Sequence, residues 1–206
     1  MVYKVSSLHI TELFCIKTSA SEFNSRVEKA RTNSLYAELL VRYLACKILK
    51  IPNNQVIFKR NFFGKPYLMS YDSFFFNISH SEDFVICVVS SNEVGADIQK
   101  VKPILLGITK KLYSLSNENE SLDDFYNRWV KEESYIKYLG KNMKFSVKAA
   151  PSVKHDVCFK QYDIHPDYKI SVCSKENTFS ENIFSVDKKI LDDFFNINRE
   201  DINGKL

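Results

Sequence analysis

Two carboxylates in different parts of the chain could act together on a phosphate ligand. Asp97 lies in "VGADIQ", directly after two small residues, and Glu133 lies in "WVKEESYIK". Magnesium prefers oxygen ligands in octahedral geometry, and proteins usually hold it with one or two carboxylates while substrate phosphates and water complete the shell. If the fold brings these two residues together, they predict a magnesium site that binds a polyphosphate.

The second carboxylate shares a stripe with a cation and with the only Trp of the chain. Trp129, Glu133 and Lys137 are spaced by four residues, so a helix would place them on one face. An isolated Glu–Lys pair at this spacing is usually a solvent-facing pair that stabilises a helix only slightly. The Trp on the same stripe makes a functional site an equal alternative, and both interpretations stay open at this point.

The phosphate-binding hypothesis depends on the combination of residues, because each one alone has an ordinary explanation. Asp97 in "GAD" could form a turn in which its side chain bonds its own backbone. His80 in "FNISHS" could be a polar surface residue at a strand end. Neither a Walker-A loop nor a GxGxxG motif occurs, so the usual glycine-rich phosphate cradles are absent from the sequence.

Composition limits the class of protein. The 206 residues fit one large domain or two small ones, and 45% of them are hydrophobic. The net charge of +4 suits an anionic ligand or an acidic partner. Five cysteines without a CxxC motif indicate neither a disulfide framework nor a zinc site, which favours a reducing compartment. The N-terminus lacks a signal-peptide pattern and no apolar run has membrane-spanning length, so we expect a cytoplasmic protein.

The elements that must position these residues follow from hydrophobic periodicity and turn signals. Helices are predicted over 21–30, 34–50 with Ser34 as a possible cap, around 104–116, 121–141 with Ser121 near its start, and 187–196. Strands are predicted over 1–10, 54–60, 74–81, 84–90, 93–98, 144–150, 155–164 and 168–174. The similar order of elements in the two halves predicts two α+β subdomains, 1–102 and 103–206, joined near Lys102 and Pro103.

Several motifs together resemble a known family. "VGADIQ" is followed after some forty residues by "WVKEESYIK", and "RTNSLYAELLVR", "FGKPYL", "FNISHSEDFVICVVS" and "YDIHPDYKISVCS" match as well. In this order and spacing they resemble the phosphopantetheinyl transferases of the surfactin-synthetase-activating type, from about residue 30 to 175. The resemblance implies two similar ferredoxin-like α/β subdomains related by a pseudo-twofold, with coenzyme A in the cleft between them.

The resemblance also implies a reaction. Such enzymes transfer the 4′-phosphopantetheine arm of coenzyme A to a serine of an apo acyl or peptidyl carrier protein, and release adenosine 3′,5′-bisphosphate. Mg²⁺ bridges the pyrophosphate and acidic residues. We therefore expect a monomer that serves a carrier protein, with no nucleic acid and no membrane as partner, and with carrier contacts around residues 138–165.

Carried over to this chain, the resemblance assigns roles to individual residues. Asp97 and Glu133 are implied metal ligands, Glu133 is also the implied base for the carrier serine, and Lys137 the group that neutralises or protonates the leaving phosphate. The positions implied to contact coenzyme A are Ser34, Lys65, Pro66, Ser79 and His80. Arg31 and Arg42 could bind phosphate or be structural, and Lys100 and Lys102 could hold a polyanion or keep the linker soluble.

Two positions depart from the family pattern. Gln99 stands where the family often has Glu, so either its amide oxygen joins Asp97 and Glu133 as a third, uncharged metal ligand or water completes the shell. Glu132 stands where the family has Lys, and Lys131, one position earlier, points about 100° away on a helix and cannot simply replace it. These departures bear on metal affinity and on one phosphate contact.

One rival hypothesis comes from another class of protein. A non-catalytic RNA-binding module with ferredoxin-like halves could also use aromatic and basic residues. "NFFGKPYL" does not match the aromatic RNP pattern, and two central carboxylates would repel phosphates without a metal. The sequence favours the transferase and leaves the carrier open among fatty-acid, polyketide and nonribosomal-peptide types.

Overall fold

A computed structural model of the chain describes residues 10–103, 120–141 and 156–197, which form a mixed α+β structure. Its helices are α1 (Arg26–Leu49), α2 (Leu122–Tyr138) and α3 (Lys188–Phe195). Its strands are β1 (Thr11–Lys17), β2 (Phe58–Arg60), β3 (Pro66–Leu68), β4 (Phe75–Ser81), β5 (Phe84–Ser90), β6 (Val94–Lys100), β7 (Cys158–Tyr162), β8 (Tyr168–Ser174) and β9 (Phe179–Ser185). The α+β class is confirmed. The predicted strand over 1–10, except for its last residue, the helix around 104–116 and the strand over 144–150 lie outside the described residues.

The strands form two larger sheets and a short hairpin. The first sheet has the order β4-β5-β1-β9, the second has the order β6-β8-β7, and β2 pairs with β3. All pairs are antiparallel except β1 with β9, which run parallel. Strand β6 precedes residue 102 and pairs with β8, whereas β9 follows it and pairs with β1. Each large sheet therefore combines strands from both sequence halves.

Helix α1 covers one face of the first sheet. Its buried side chains, among them Tyr36, Leu40 and Leu44, pack with Phe14 and Val85 into one hydrophobic core. The helix begins at Arg26, and the side chain of its N-cap Ser25 accepts a hydrogen bond from the Val27 amide. The prediction of Ser34 as the cap is therefore wrong, because Ser34 lies inside the helix.

The two sheets enclose a second core, and α2 packs on β6 and β8. Leu13 and Ile86 of the first sheet contact Ile98, Ile170 and Val172 of the second in this core. The prediction that α2 begins after Ser121 is confirmed, since the Ser121 side chain accepts from the Asp124 amide. The central position of β6 between the first sheet and α2 decides where Asp97 lies.

A row of side chains joins β4 to the free edge of β6. The Asn77 Oδ1, Ser79 Oγ and Ser81 Oγ atoms accept hydrogen bonds from the amides of Ala96, Ile98 and Lys100, at 2.9, 3.4 and 3.0 Å. The three acceptors and the three donors each lie on every second residue of their strand, because alternate residues of a strand face the same side. These side chains satisfy backbone donors that β8, on the opposite edge of β6, does not reach. They hold the two sheets at a fixed register.

Several strand predictions were incomplete. The sequence analysis did not predict strands β1, β3 and β9. Strand β2 is shorter than the strand predicted over 54–60. The helix predicted over 21–30 is wrong in its first half, where a 3-10 turn over Ala20–Glu22 precedes α1.

Asp97 is the middle residue of β6 rather than the end of a strand, so the alternative of a Gly-Ala-Asp turn is wrong.

Gly95 allows α2 to approach β6 closely. A Cβ atom at this position would lie 2.0 Å from the Ser134 carbonyl oxygen and 2.3 Å from the Tyr138 amide nitrogen. Both atoms belong to helix backbone and cannot move as a side chain can. The helix axis would have to shift away from β6, taking Glu133 and Lys137 with it.

Replacement of Gly95 by Ala should therefore destabilise the protein strongly. We expect a loss of about 3 kcal/mol or more, at or above the upper end of overpacking effects, because backbone must move. Gly64→Ala is the control, since a Cβ there meets nothing within 4 Å and only the φ of +90° opposes it. That strain costs about 1–2 kcal/mol. Urea unfolding of both variants measures the difference, and equal losses would contradict the close packing at Gly95.

Candidate active site

A cavity of about 910 Å³ opens between α1, the β2–β3 hairpin, β4, β6 and α2. Its volume lies at the upper end of the range for ligand sites, about 300–1,000 Å³. Eight of the nine residues predicted from the sequence line it: Ser34, Pro66, Ser79, His80, Asp97, Gln99, Glu133 and Lys137. The fold thus brings together residues that lie up to about one hundred positions apart in the sequence.

Asp97 lies at the centre of a hydrogen-bond network in the cavity wall. Only 2% of its surface is exposed. Its Oδ1 atom accepts from the Lys137 ammonium at 2.6 Å and from the Ser79 hydroxyl at 2.8 Å. Its Oδ2 atom accepts from the Gln99 amide nitrogen at 3.0 Å. Both oxygens are therefore held in place, and the Lys137 ammonium also donates to the Ser79 hydroxyl at 2.8 Å.

Glu133 lies one helical turn before Lys137 and is 7% exposed. Burial, and after it the negative charge of Asp97, raise the pKa of this carboxyl to about 7, while Lys137 opposes both effects. A carboxyl group that titrates near neutral pH suits general acid–base chemistry. Two members of the predicted helical stripe, Glu133 and Lys137, therefore line the cavity. The alternative of a solvent-facing Glu–Lys pair is wrong at these two positions.

Trp129, the third member of the stripe, does not line the cavity. Its ring packs against Phe125 and stacks on Tyr126, at centroid distances of 5.4 and 5.6 Å. The indole thus belongs to the aromatic packing near the start of α2. It supports the helix that carries Glu133 and Lys137.

Asp97 and Glu133 could supply part of the oxygen shell of a divalent cation. Asp97 and Glu133 are buried carboxylates in one cavity wall, and their repulsion is visible in the raised pKa of Glu133. Within the described residues no group of three or more His, Cys, Asp or Glu side chains converges. Two buried carboxylates in one wall are the protein ligands that an ion such as Mg²⁺ could use, with its remaining oxygens from ligand and water.

Gln99 lines the cavity, but its amide nitrogen faces Asp97. In this orientation Gln99 fixes the carboxylate by donating to it. Ligation of a metal by the Gln99 oxygen would require the amide to turn over, and the predicted ligand role stays a prediction.

His80 follows Ser79 on β4 and lies in the same cavity wall. Desolvation lowers the pKa of His80 below its usual value, and the neighbouring Lys137 lowers it further while Asp97 opposes both. The neutral form of the imidazole is thereby favoured. It can offer a hydrogen bond to a phosphate oxygen without adding charge.

Lys65 is the one predicted residue that does not line the main cavity. Its ammonium donates to Glu93 at 2.6 Å, to the Val94 carbonyl at 3.0 Å and to the Tyr138 carbonyl at 3.4 Å. These contacts tie the β2–β3 hairpin to β6 and to the end of α2. Lys65 lines a smaller neighbouring cavity of about 370 Å³, together with Glu133 and Lys137.

Two charged residues of the main cavity were not predicted from the sequence, Glu38 and Arg60, and Arg42 lines the cavity with them. Arg42, left open between a phosphate and a structural role, donates to Glu38 at 2.8 Å and to the Val56 carbonyl at 2.9 Å. Arg60 lines both cavities. The basic residue directly before the turn of "FKRNFFGKP" was the signal that could have identified Arg60.

The remaining basic candidates point elsewhere. Lys131 lies over the Phe159 ring at 4.9 Å, and Lys100 lies over the Tyr168 ring at 5.7 Å. Lys102 pairs with Glu82. These three residues and Arg31 are not among those that line the main cavity.

Glu132, the second departure from the family pattern, accepts from Arg128 at 3.2 Å, outside the cavity lining. Arg128 is itself held by both oxygens of Glu120 at 2.9 Å. The Glu132 charge is therefore partly neutralised by an arginine on the same helix.

In the part of the chain that the structure describes, no helix is long and apolar enough to span a membrane.

Comparison with known proteins gives a consistent result. The family described as 4′-phosphopantetheinyl transferase, N-terminal, matches residues 11–92. The chain is 33% identical to 4′-phosphopantetheinyl transferase Sfp of Bacillus subtilis (strain 168), over 74% of this chain and 78% of that protein. It is 30% identical to 4′-phosphopantetheinyl transferase gsp of Aneurinibacillus migulanus, over 68% of each chain. A rat protein, L-aminoadipate-semialdehyde dehydrogenase-phosphopantetheinyl transferase, is 30% identical over 66% of this chain and 50% of its own length.

The raised pKa of Glu133 predicts a pH-dependent stability in metal-free buffer. The folded-state pKa of about 7 exceeds the unfolded value of about 4.3. The folded state therefore binds the proton more tightly, and its stability falls as the pH rises between these two values. Glu133→Gln, which mimics the protonated form, should raise the melting temperature by a few degrees at pH 8 with EDTA present.

The same variant should lose its advantage at pH 4, where the wild-type carboxyl is largely protonated in both states. Glu132→Gln is the matched control, because its carboxylate is outside the cavity lining and pairs with Arg128. Melting curves from pH 4 to pH 8 measure both. A Glu133→Gln advantage that does not depend on pH would contradict a buried, ionised carboxylate.

Proposed function

Because the chain belongs to the 4′-phosphopantetheinyl transferase family, we propose that it transfers the 4′-phosphopantetheine arm of coenzyme A to a serine of an apo acyl or peptidyl carrier protein. The products are the holo carrier and adenosine 3′,5′-bisphosphate. The observation that carries this proposal is the meeting of Asp97, Glu133 and Lys137 in one cavity large enough for a nucleotide-sized ligand. The RNA-binding alternative finds no support, since the similar proteins are named as transferases.

Mg²⁺, held by Asp97 and Glu133, would supply positive charge to the pyrophosphate of coenzyme A. His80 would position a phosphate as a neutral hydrogen-bond donor, and Ser79, whose hydroxyl donates to Asp97, would hold that carboxylate beside the phosphates. Ser34 and Pro66 lie in the same cavity and would contact the nucleotide, and Lys65 supports that edge through the hairpin. Much of the rate enhancement would come from positioning and charge stabilisation.

In the transfer step the serine oxygen of the carrier bonds to the phosphorus that bears pantetheine. The bond from that phosphorus to the oxygen of the adenosine bisphosphate breaks. Glu133, directly or through a water molecule, would take the serine proton, which its raised pKa permits near neutral pH. Lys137 would neutralise or protonate the leaving phosphate.

The architecture proposed for this activity is a pair of similar ferredoxin-like subdomains, 1–102 and 103–206, related by a pseudo-twofold with the ligand cleft between them. Support comes from the cavity lining, which takes α1, β4 and β6 from the first half and α2 from the second, although β6 pairs with β8 and β9 with β1 across the boundary at residue 102. Described residues of a single chain form the lining of the cavity, which supports a monomer. We propose a cytoplasmic location, which suits five free cysteines.

The decisive experiment is incubation of the purified protein with coenzyme A, Mg²⁺ and a panel of apo-carriers. Intact-mass spectrometry would show the mass of phosphopantetheine added to the carrier. The addition should stop when EDTA is present and should be absent from a carrier whose acceptor serine is replaced by alanine. Failure to modify any carrier in a panel that spans the three pathway types would contradict the proposed function.

Asp97→Ala should abolish transfer while the fold stays intact. Loss of this carboxylate should reduce the rate about a hundredfold or more, since it removes electrostatic stabilisation of the transition state. Asp163→Ala, at an exposed carboxylate, is the control. Calorimetry with Mg²⁺ and adenosine 3′,5′-bisphosphate gives a readout independent of turnover. Transfer within threefold of the wild type would refute the role of Asp97.

Gln99→Glu should lower the Mg²⁺ concentration needed for half-maximal activity. A third carboxylate beside Asp97 and Glu133 adds a charged ligand, and without metal it adds repulsion. The rate at saturating Mg²⁺ should change little. Magnesium titrations at fixed coenzyme A, read by activity and by melting temperature, compare wild type, Gln99→Glu and Gln99→Ala. If the first two curves coincide, Gln99 does not face the metal and water fills that position.

A further inference from the structure

Exposed apolar side chains are concentrated on one hairpin. Among the described residues, eight large hydrophobic side chains are exposed, and four of them lie in the segment from 57 to 67: Ile57, Phe62, Phe63 and Tyr67. Phe62 is 94% exposed, the highest value among them. Exposed aromatic residues in a cluster typically mark an interaction surface rather than a random surface feature.

The tip of this hairpin is held rigidly. The Asn61 side-chain oxygen accepts from the amides of Phe63 and Lys65, at 3.0 and 2.9 Å. The Asn61 side-chain nitrogen donates to the Gly140 carbonyl at 3.1 Å, just after α2. The two phenyl rings meet edge to face at a centroid distance of 5.1 Å. A rigid aromatic pair loses little conformational entropy on binding, which favours affinity.

The tip also borders the reactive groups. Phe63, Gly64 and Lys65 line the cavity of about 370 Å³ that Glu133 and Lys137 share with the main cavity. Phe62 and Phe63 do not line the main cavity, where the nucleotide is proposed to bind. Any macromolecule that delivers a hydroxyl group to Glu133 through the smaller cavity would pass beside these rings.

The charge of the hairpin selects the kind of partner. The segment from 57 to 68 contains Lys59, Arg60 and Lys65 and no acidic residue. Lys65 is paired with Glu93, whereas Lys59 and Arg60 are exposed at the hairpin surface. Lys141 lines the same smaller cavity. An apolar tip between basic residues fits an acidic protein surface that carries one apolar side chain.

We propose that the β2–β3 hairpin tip is a docking contact for the carrier protein, with an apolar carrier side chain near the acceptor serine packed on Phe62 and Phe63. An acidic face of the carrier lies against Lys59 and Arg60. This inference rests on the proposed transferase function. It places carrier recognition partly in the first half of the chain, in addition to the expected region around residues 138–165.

Phe62→Ala tests the apolar contact. Because the ring is almost fully exposed, its removal should leave the melting temperature unchanged. The KM for the carrier should rise about tenfold, as expected for an aromatic anchor at an interface. The KM for coenzyme A and kcat at saturating substrates should not change. Phe62→Tyr should restore the wild-type KM, and Val27→Ala, at an exposed apolar residue of α1, is the control.

Lys59→Glu tests the charge contact. It should also raise the KM for the carrier, and the difference from wild type should shrink as the salt concentration rises, because screening weakens exposed charge interactions. Calorimetric titration of apo-carrier into each variant without coenzyme A measures docking separately from chemistry. The affinity for the carrier should fall in both variants.

Three results would overturn the inference. An increase in the KM for coenzyme A with unchanged carrier affinity would make the tip a nucleotide contact. Unchanged constants for both substrates in Phe62→Ala and Lys59→Glu would show that the hairpin takes no part in docking, while transfer by the wild type would leave the proposed function intact. Absence of transfer by the wild type to any carrier would instead refute the proposed function, and the docking inference with it.

Discussion

The side-chain hydrogen bonds between β4 and β6 are the constraint on which the site depends. Asn77, Ser79 and Ser81 accept from three amides of β6 and so replace the backbone pairing that a neighbouring strand would give. Ser79 also donates to Asp97 at 2.8 Å. The same hydroxyl thus joins the sheets and orients the carboxylate. The close packing of α2 on β6 at Gly95 determines how far Glu133 lies from Asp97.

The resulting arrangement carries an energetic cost. Two carboxylates are buried in one wall, and burial of charge is unfavourable unless it is compensated. Lys137 compensates Asp97 directly at 2.6 Å, while Glu133 responds with a pKa raised to about 7. Buried charges that are only partly paired are typical of sites where function outweighs stability. A cation between the two carboxylates would reduce their repulsion.

Local sequence patterns predicted most helices and the hairpin β4–β5, because these depend on neighbouring residues. Strands β1 and β9 were missed: "FSENIFS" shows no clear alternation, and its pairing with β1 joins segments far apart in the sequence. The polar residues of "FNISHS" suggested a surface, yet Asn77 and Ser79 are buried. Such burial depends on β6 as a partner, which no local pattern reveals. The cavity residues were found through the family motifs and the helical spacing on α2.

The two departures from the family pattern differ in consequence because the fold places them differently. Gln99 lies in the cavity wall and donates to Asp97, so its missing charge acts directly where a cation would bind. Glu132 lies outside the cavity lining, and Arg128 neutralises part of its charge while also binding Glu120. Glu132 reaches the site only through its field, which raises the pKa of Glu133 slightly further. The missing charge of Gln99 therefore acts at the Asp97 carboxylate itself, whereas the charge of Glu132 acts on Glu133 from outside the cavity lining.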